Sequence, residues 1–181
     1  MSRALLIVDI QNDYFPGGAY PLVAPEAAAD ATAKLLAAFR ASGETVIHMR
    51  HVWDAPEASF MRPGTYGVEI HHSVAPIDGE VVLQKSEPNS FLGTGLADTL
   101  DAQGVDHLVV AGMMTSMCID STVRAAADRG LNVQLVHDAC AAPDLEFGAT
   151  LVPGAQVHAA FVAALGDGFA ELVSADDFSA R

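Results

Sequence analysis

Short apolar runs alternate along this chain with longer amphipathic stretches, and most of the runs end on a polar or charged residue. Ala4-Leu-Leu-Ile-Val leads into Asp9, Val81-Val-Leu-Gln leads into Lys85, and His107-Leu-Val-Val-Ala leads into Gly112. The pattern predicts strands near residues 4–9, 44–50, 80–84, 107–112, 132–137 and 170–173. Uninterrupted apolar runs of this length suit strands covered on both faces. Helical spacing predicts helices near 25–42, 92–103, 117–130 and 153–166. Pro25 and Gly43 frame the first of these, and Ala28, Thr32, Leu35 and Phe39 form its buried face. In the third, Ile119, Val123, Ala126 and Ala127 recur at helical spacing, and Gly130 ends it. Alternating strand and helix implies an α/β fold, a parallel sheet with helices on both faces. The 181 residues suffice for one domain, spanning 1–181, with a sizeable core.

Two stretches depart from the alternation. From His51 to Gly79 periodicity fades, and the segment is rich in Pro, Gly and aromatics. Loops that long in a compact domain are usually functional, so this one is read as covering a substrate. From Phe147 to Gly166 there is no formal charge over 20 residues, a span-like length. Pro153, Gly154, Gln156 and His158 interrupt it, while Val157, Phe161, Val162 and Leu165 mark one face of a helix packed on a core. No transmembrane segment is expected. Twenty-three acids against nine bases give a formal charge of −14, which argues against nucleic acid as a partner and hinders capture of anionic substrates. The two cysteines, Cys118 and Cys140, do not make a disulfide framework. With no signal peptide visible, a reducing cytoplasm is the expected compartment.

The chemistry gathers at strand ends. Cys118 sits where the 107–112 strand turns into a helix, in Gly112-Met-Met-Thr-Ser-Met-Cys118. Unpaired N–H groups and the positive end of a helix dipole there would lower a thiol pKa and could hold an oxyanion. The plainer alternative is a small buried hydrophobe. Asp9 closes a buried strand, where it could serve chemistry or merely tie down the following loop. Lys85 closes another, where a surface lysine would be the ordinary case. In open α/β sheets, ligands bind outside the carboxyl ends of strands, so an acid, an ammonium and a thiol at three such ends could share one crevice. There an ammonium favours thiolate, and a carboxylate can accept the thiol proton.

Five motifs in order resemble the isochorismatase-like cysteine hydrolases. They are Leu6-Ile-Val-Asp-Ile-Gln-Asn-Asp13, Pro63-Gly-Thr-Tyr-Gly-Val-Glu-Ile70, Lys85-Ser-Glu-Pro-Asn-Ser-Phe-Leu-Gly-Thr94, Val110-Ala-Gly-Met-Met-Thr-Ser-Met-Cys118 and Val136-His-Asp-Ala-Cys140. The resemblance covers nearly the whole length. It implies a doubly wound, six-stranded sheet and a triad of Asp9, Lys85 and Cys118. It also implies a non-proline cis peptide at Met113–Met114, turning the Met114 N–H towards an oxyanion site beside the Cys118 N–H. The activity implied is hydrolysis of a carbon–nitrogen bond in a small-molecule substrate, with no cofactor. Relatives include N-carbamoylsarcosine amidohydrolases and streptothricin hydrolases, and they commonly form homodimers or homotetramers. Isochorismatases proper, which cleave a vinyl ether by protonation and typically lack the cysteine, are the rival activity. A non-catalytic binding or assembly role is the other.

Around those three residues, Phe15, Trp53, Phe60, Tyr66 and Phe91 are candidates to shape a substrate pocket, though each could equally be core. Gln11 could orient a substrate amide, or it could cap the loop as Asn12 is expected to do. Nicotinamidases of the superfamily hold a metal on an Asp-x-His…His cluster. Here that region reads His48-Met-Arg-His51-Val-Trp-Asp54, and side chains three apart on a strand point to opposite faces. No metal is therefore expected. His71-His72 reads as an exposed or interface pair, and Cys140 as packing.

Overall fold

The computed structural model describes residues 2–178. β1 (Ser2–Val8), β2 (Thr45–His51), β3 (Val81–Lys85), β4 (Val105–Met113), β5 (Asn132–Ala141) and β8 (Glu171–Val173) form one sheet in the order β3-β2-β1-β4-β5-β8. Every pairing in it is parallel. The chain steps from β1 outward through β2 to β3, then returns to β4 on the other side of β1. That reversal is the switch point of a doubly wound sheet, and it opens a crevice beyond the ends of β1 and β4.

The period of two along each strand builds two cores. Leu5, Ile7, Val109 and Ala111 pack on one face with Ala28, Leu35, Leu36 and Phe39 of α1 (Pro25–Ser42). Ala4, Leu6, Val8, Leu108 and Val110 pack on the other. They meet α2 (Leu96–Ala102), α3 (Asp120–Asp128) and α4 (Gly154–Gly166) through Leu100, Val123 and Leu165. The six-stranded, doubly wound fold implied by the motifs is thus present, with helices on both faces.

Local boundaries differ for physical reasons. α2 starts at Leu96, later than periodicity suggested, because Thr94 Oγ1 accepts the Leu96 N–H and donates back to the Ser90 carbonyl, setting the entry turn. Residues 143–152 carry a hairpin the apolar pattern did not reveal, β6 (Leu145–Phe147) paired antiparallel with β7 (Thr150–Val152). The helix expected from 117 begins as a wide π-type turn, Thr115–Ile119, before α3 proper. Among the described residues no helix is long and apolar enough to cross a membrane.

Gly112 lets β4 run hard against β1 immediately below the crevice. Its φ is +134°, and a Cβ there would lie 2.0 Å from the Val8 carbonyl oxygen. No side chain fits that gap, so the position of Asp9, next along the chain from Val8, depends on a glycine in the neighbouring strand.

Candidate active site

Three strand ends deliver the polar groups. Asp9 follows β1 directly, with a left-handed φ of 51° and its N–H bonded to Met49 O at 3.1 Å. Asp tolerates that conformation better than most residues, and residues held there cluster at functional sites. Lys85 is the last residue of β3, two strands away. Cys118 hangs in the wide turn after β4, where the Met114 carbonyl accepts from the Met117 and Ile119 N–H groups at 3.0 and 3.1 Å. Such turns recur at functional sites. The Met113–Met114 peptide is cis, as the motif resemblance implied. Ser90 and Thr122, both fully buried, bond to each other and tie the loop after Lys85 to the helix after Cys118.

The three side chains meet. Lys85 Nζ lies 2.7 Å from Asp9 Oδ2, in a pair with no solvent exposure, and 3.2 Å from Cys118 Sγ. The ammonium also reaches the Glu87 and Pro88 carbonyls at 3.0 and 3.3 Å, and His51 Nδ1 at 3.1 Å. Burial pulls the Lys85 pKa down, but Asp9 and Cys118 together outweigh it, so the lysine stays charged.

The thiol behaves against the simplest expectation. Burial first, then the Asp9 charge, pushes Cys118 up to about 12, and the opposing pull of Lys85 does not offset them. At rest the sulfur therefore carries its proton, beside a carboxylate placed to remove it. Cys140, buried and bonded to the Val136 carbonyl, is likewise pushed up to about 12. Burial also raises Tyr14, with Cys118 and Asp9 adding to the effect, which places this phenol within the field of the cluster. These shifts have a sign. Unfolded thiols ionise near 9, whereas the folded protein keeps their protons to about 12. Stability is then full below pH 9 and falls as pH rises towards 12, because the unfolded chain sheds protons first. Urea midpoints measured from pH 7 to 10.5 should decline from about pH 9, less steeply in Cys140→Ala; a flat profile would contradict these environments.

His51 is a member that sequence reasoning missed. It ends β2, in direct register with Lys85, and burial followed by the Lys85 charge keeps its pKa low. The signal in the sequence was its place just past the second predicted strand, as Asp9 and Lys85 close theirs. His48, three residues back, turns the other way and bonds Glu80 at 2.9 Å. The two histidines therefore do not converge on a common ion, and the nicotinamidase-type metal cluster has no counterpart there. Asp9, His51 and Cys118 do bring ligand atoms within 4.8 Å of one another. The Lys85 ammonium bonds all three, however, so a fixed positive charge stands among them.

The remaining candidates divide. Trp53 sits edge-on to Phe60 at 5.6 Å, and Phe60 packs on Tyr20 and Tyr14 at 4.9 and 6.1 Å, an aromatic wall whose Tyr14 feels the cluster. Phe15 is buried and stacked on His71 at 3.8 Å. Three others lie or point elsewhere. Tyr66 is 79% exposed, its carbonyl engaged by Asn12 Nδ2 in a surface turn. Phe91 lies under the Arg129 guanidinium, past the far end of α3 from Cys118. Gln11, fully buried, spends both ends of its amide on backbone: Nε2 donates to the His51 and Val68 carbonyls, and Oε1 accepts the His51 N–H. Asn12 and Asp13 do similar work. Asp13 accepts the Ala19 and Met61 N–H groups, so the 51–79 segment is pinned across the strand ends by 10–13.

A buried thiol, ammonium and carboxylate at the switch point of a doubly wound sheet define an α/β protein of the hydrolase kind. Residues 3–177 match the Isochorismatase domain, and the chain belongs to the isochorismatase family of hydrolases. It is similar to the uncharacterised family protein YddQ of Bacillus subtilis, 48% identical over 98% of this chain and 99% of that one. An isochorismatase-type hydrolase of Oleispira antarctica, a solved structure, superposes with a TM-score of 0.95 at 49% identity, covering 99% of this chain and 97% of its own. A maleamate amidohydrolase of Pseudomonas putida is 38% identical over 75% of this chain and 70% of its own.

Proposed function

We propose that this protein hydrolyses a carbon–nitrogen bond of a small amide through a thioester on Cys118. The observation that carries the reading is the buried Asp9–Lys85–Cys118 cluster, with Nζ at 2.7 Å from carboxylate and 3.2 Å from sulfur. Because the thiol rests protonated, a base must act as it attacks. Asp9 accepts the proton, and Lys85 stabilises the charges on both neighbours. Sulfur adds to the amide carbonyl, and the Met114 and Cys118 N–H groups hold the oxyanion. As the tetrahedral species collapses the C–N bond breaks, and Asp9 returns its proton to the departing amine. Water, deprotonated by Asp9, then attacks the thioester, releasing a carboxylic acid and restoring the thiol. The maleamate amidohydrolase relative supports amide chemistry, and the retained cysteine favours it over vinyl-ether cleavage. Trp53, Phe60 and Tyr14 make the wall facing the substrate, which suits a small, partly apolar molecule.

The test is ammonia release from a panel of small primary amides and carbamoyl compounds, run beside a vinyl-ether acid. Turnover of amides with the vinyl ether inert is expected. Vinyl-ether hydrolysis with every amide inert would overturn the reading.

A further inference from the structure

The cluster holds one group that the proposed reaction leaves without a task. His51 Nδ1 is 3.1 Å from Lys85 Nζ, and a charged ammonium can only donate. Nδ1 is thus the unprotonated nitrogen, and the ring proton resides on Nε2. The position of this ring is enforced. Gln11 grips both the N–H and the carbonyl of His51 at 2.8 Å each, continuing the β1–β2 ladder beyond its last backbone pair. The ring is half-buried, one of its nitrogens lies within 4.8 Å of Cys118 Sγ and the Asp9 carboxylate, and Nε2 has no hydrogen-bond partner among the described residues. It is a fixed, neutral N–H donor on a ring that has one nitrogen within 4.8 Å of the nucleophile.

We infer that His51 is a substrate-orienting residue whose Nε2–H donates to an oxygen acceptor, carbonyl or carboxylate, beside the carbon that Cys118 attacks. This deepens the amide reading and rests on it. The Met114 and Cys118 N–H groups serve the scissile carbonyl itself, so an acceptor for His51 has to be a second one. The substrate class is then an amide bearing another oxygen acceptor next to the scissile group, in preference to a simple alkyl amide. A hydrocarbon at that place would leave a half-buried N–H unpaired.

Two electrophiles of similar size separate the roles without knowledge of the natural substrate. Iodoacetamide carries a carbonyl beside the attacked carbon; allyl iodide carries none. In each case the Cys118 sulfur displaces iodide, and the thiol proton passes to Asp9. Second-order alkylation rates of Cys118, read by peptide mass spectrometry, are compared in wild type, His51→Leu and His51→Gln. The ratio of iodoacetamide to allyl iodide rates should fall about three- to tenfold in His51→Leu, the worth of one hydrogen bond. His51→Gln, which keeps both an acceptor for Lys85 and an N–H donor, should restore part of it. An unchanged ratio overturns the inference. So does an equal loss with both electrophiles, which would mean that His51 acts only by placing Lys85. If wild-type Cys118 reacts with neither, the nucleophile assignment itself fails, an outcome distinct from a ratio that does not move.

Discussion

Cys118→Ala should lower amide turnover by about 10⁴-fold or more, the scale seen when a covalent nucleophile is removed. The loss falls on kcat, because the bond formed by sulfur exists only along the reaction path and not in the bound amide. The fold should survive. The side chain is 3% exposed but small, and the Asp9–Lys85 pair remains intact without it. A stability change of ~1 kcal/mol, the middle of the usual range for point mutants, is expected. Measuring ammonia release together with the thermal midpoint separates the two quantities. A Cys118→Ala protein that keeps its native turnover would remove covalent catalysis from the account and leave acid catalysis by Asp9 in its place.

The second large effect is on stability as well as rate. Lys85→Met should abolish turnover and cost about 3–5 kcal/mol of folding free energy, because it strands a fully buried Asp9 carboxylate without its counter-charge. For a chain of this length that corresponds to a thermal midpoint lower by on the order of 10 °C. Adding Asp9→Asn to Lys85→Met removes the stranded charge. Much of the lost stability should then return while the activity stays absent, a coupling that a double-mutant cycle reads directly. If Lys85→Met melts like wild type, the ammonium is not fixed by Asp9 as the 2.7 Å contact requires.

Strand ends were the legible part of this chain. Asp9, Lys85 and Cys118 each follow an apolar run, and a parallel sheet puts such ends on one side, so their meeting could be anticipated without coordinates. What the pattern could not carry was the neighbour relation between strands. His51 ends β2, and only the order β3-β2-β1 sets its ring against Lys85. The same limit applied to the aromatics. Phe91 follows β3 closely in sequence, yet it drops into the groove between α2 and the far end of α3, where Arg129 covers it. Gln11 is polar and beside Asp9, which suggested a ligand contact, but a backbone gap at the end of β1 captured both ends of its amide. The charge state of Cys118 inverted for a similar reason. A helix start and a lysine argue for thiolate, and neither reveals how completely the sulfur is removed from water beside a carboxylate.

The two environments give the cluster its working logic. Lys85, with five acceptor atoms within 3.3 Å, is a rigid charge, and in the proposed reaction Asp9 is the group that exchanges a proton with sulfur. Pinning the 51–79 segment through Asn12, Asp13 and Gln11 keeps the aromatic wall in place over the same point.

The most direct measurement is rapid quenching during turnover of the panel amide that is hydrolysed fastest, followed by mass mapping of the two cysteine peptides. The acyl group of that amide is expected on the Cys118 peptide, rising before steady state and decaying when substrate is spent, with Cys140 unmodified. An unmodified Cys118 peptide throughout, together with turnover that persists in Cys118→Ala, would contradict it.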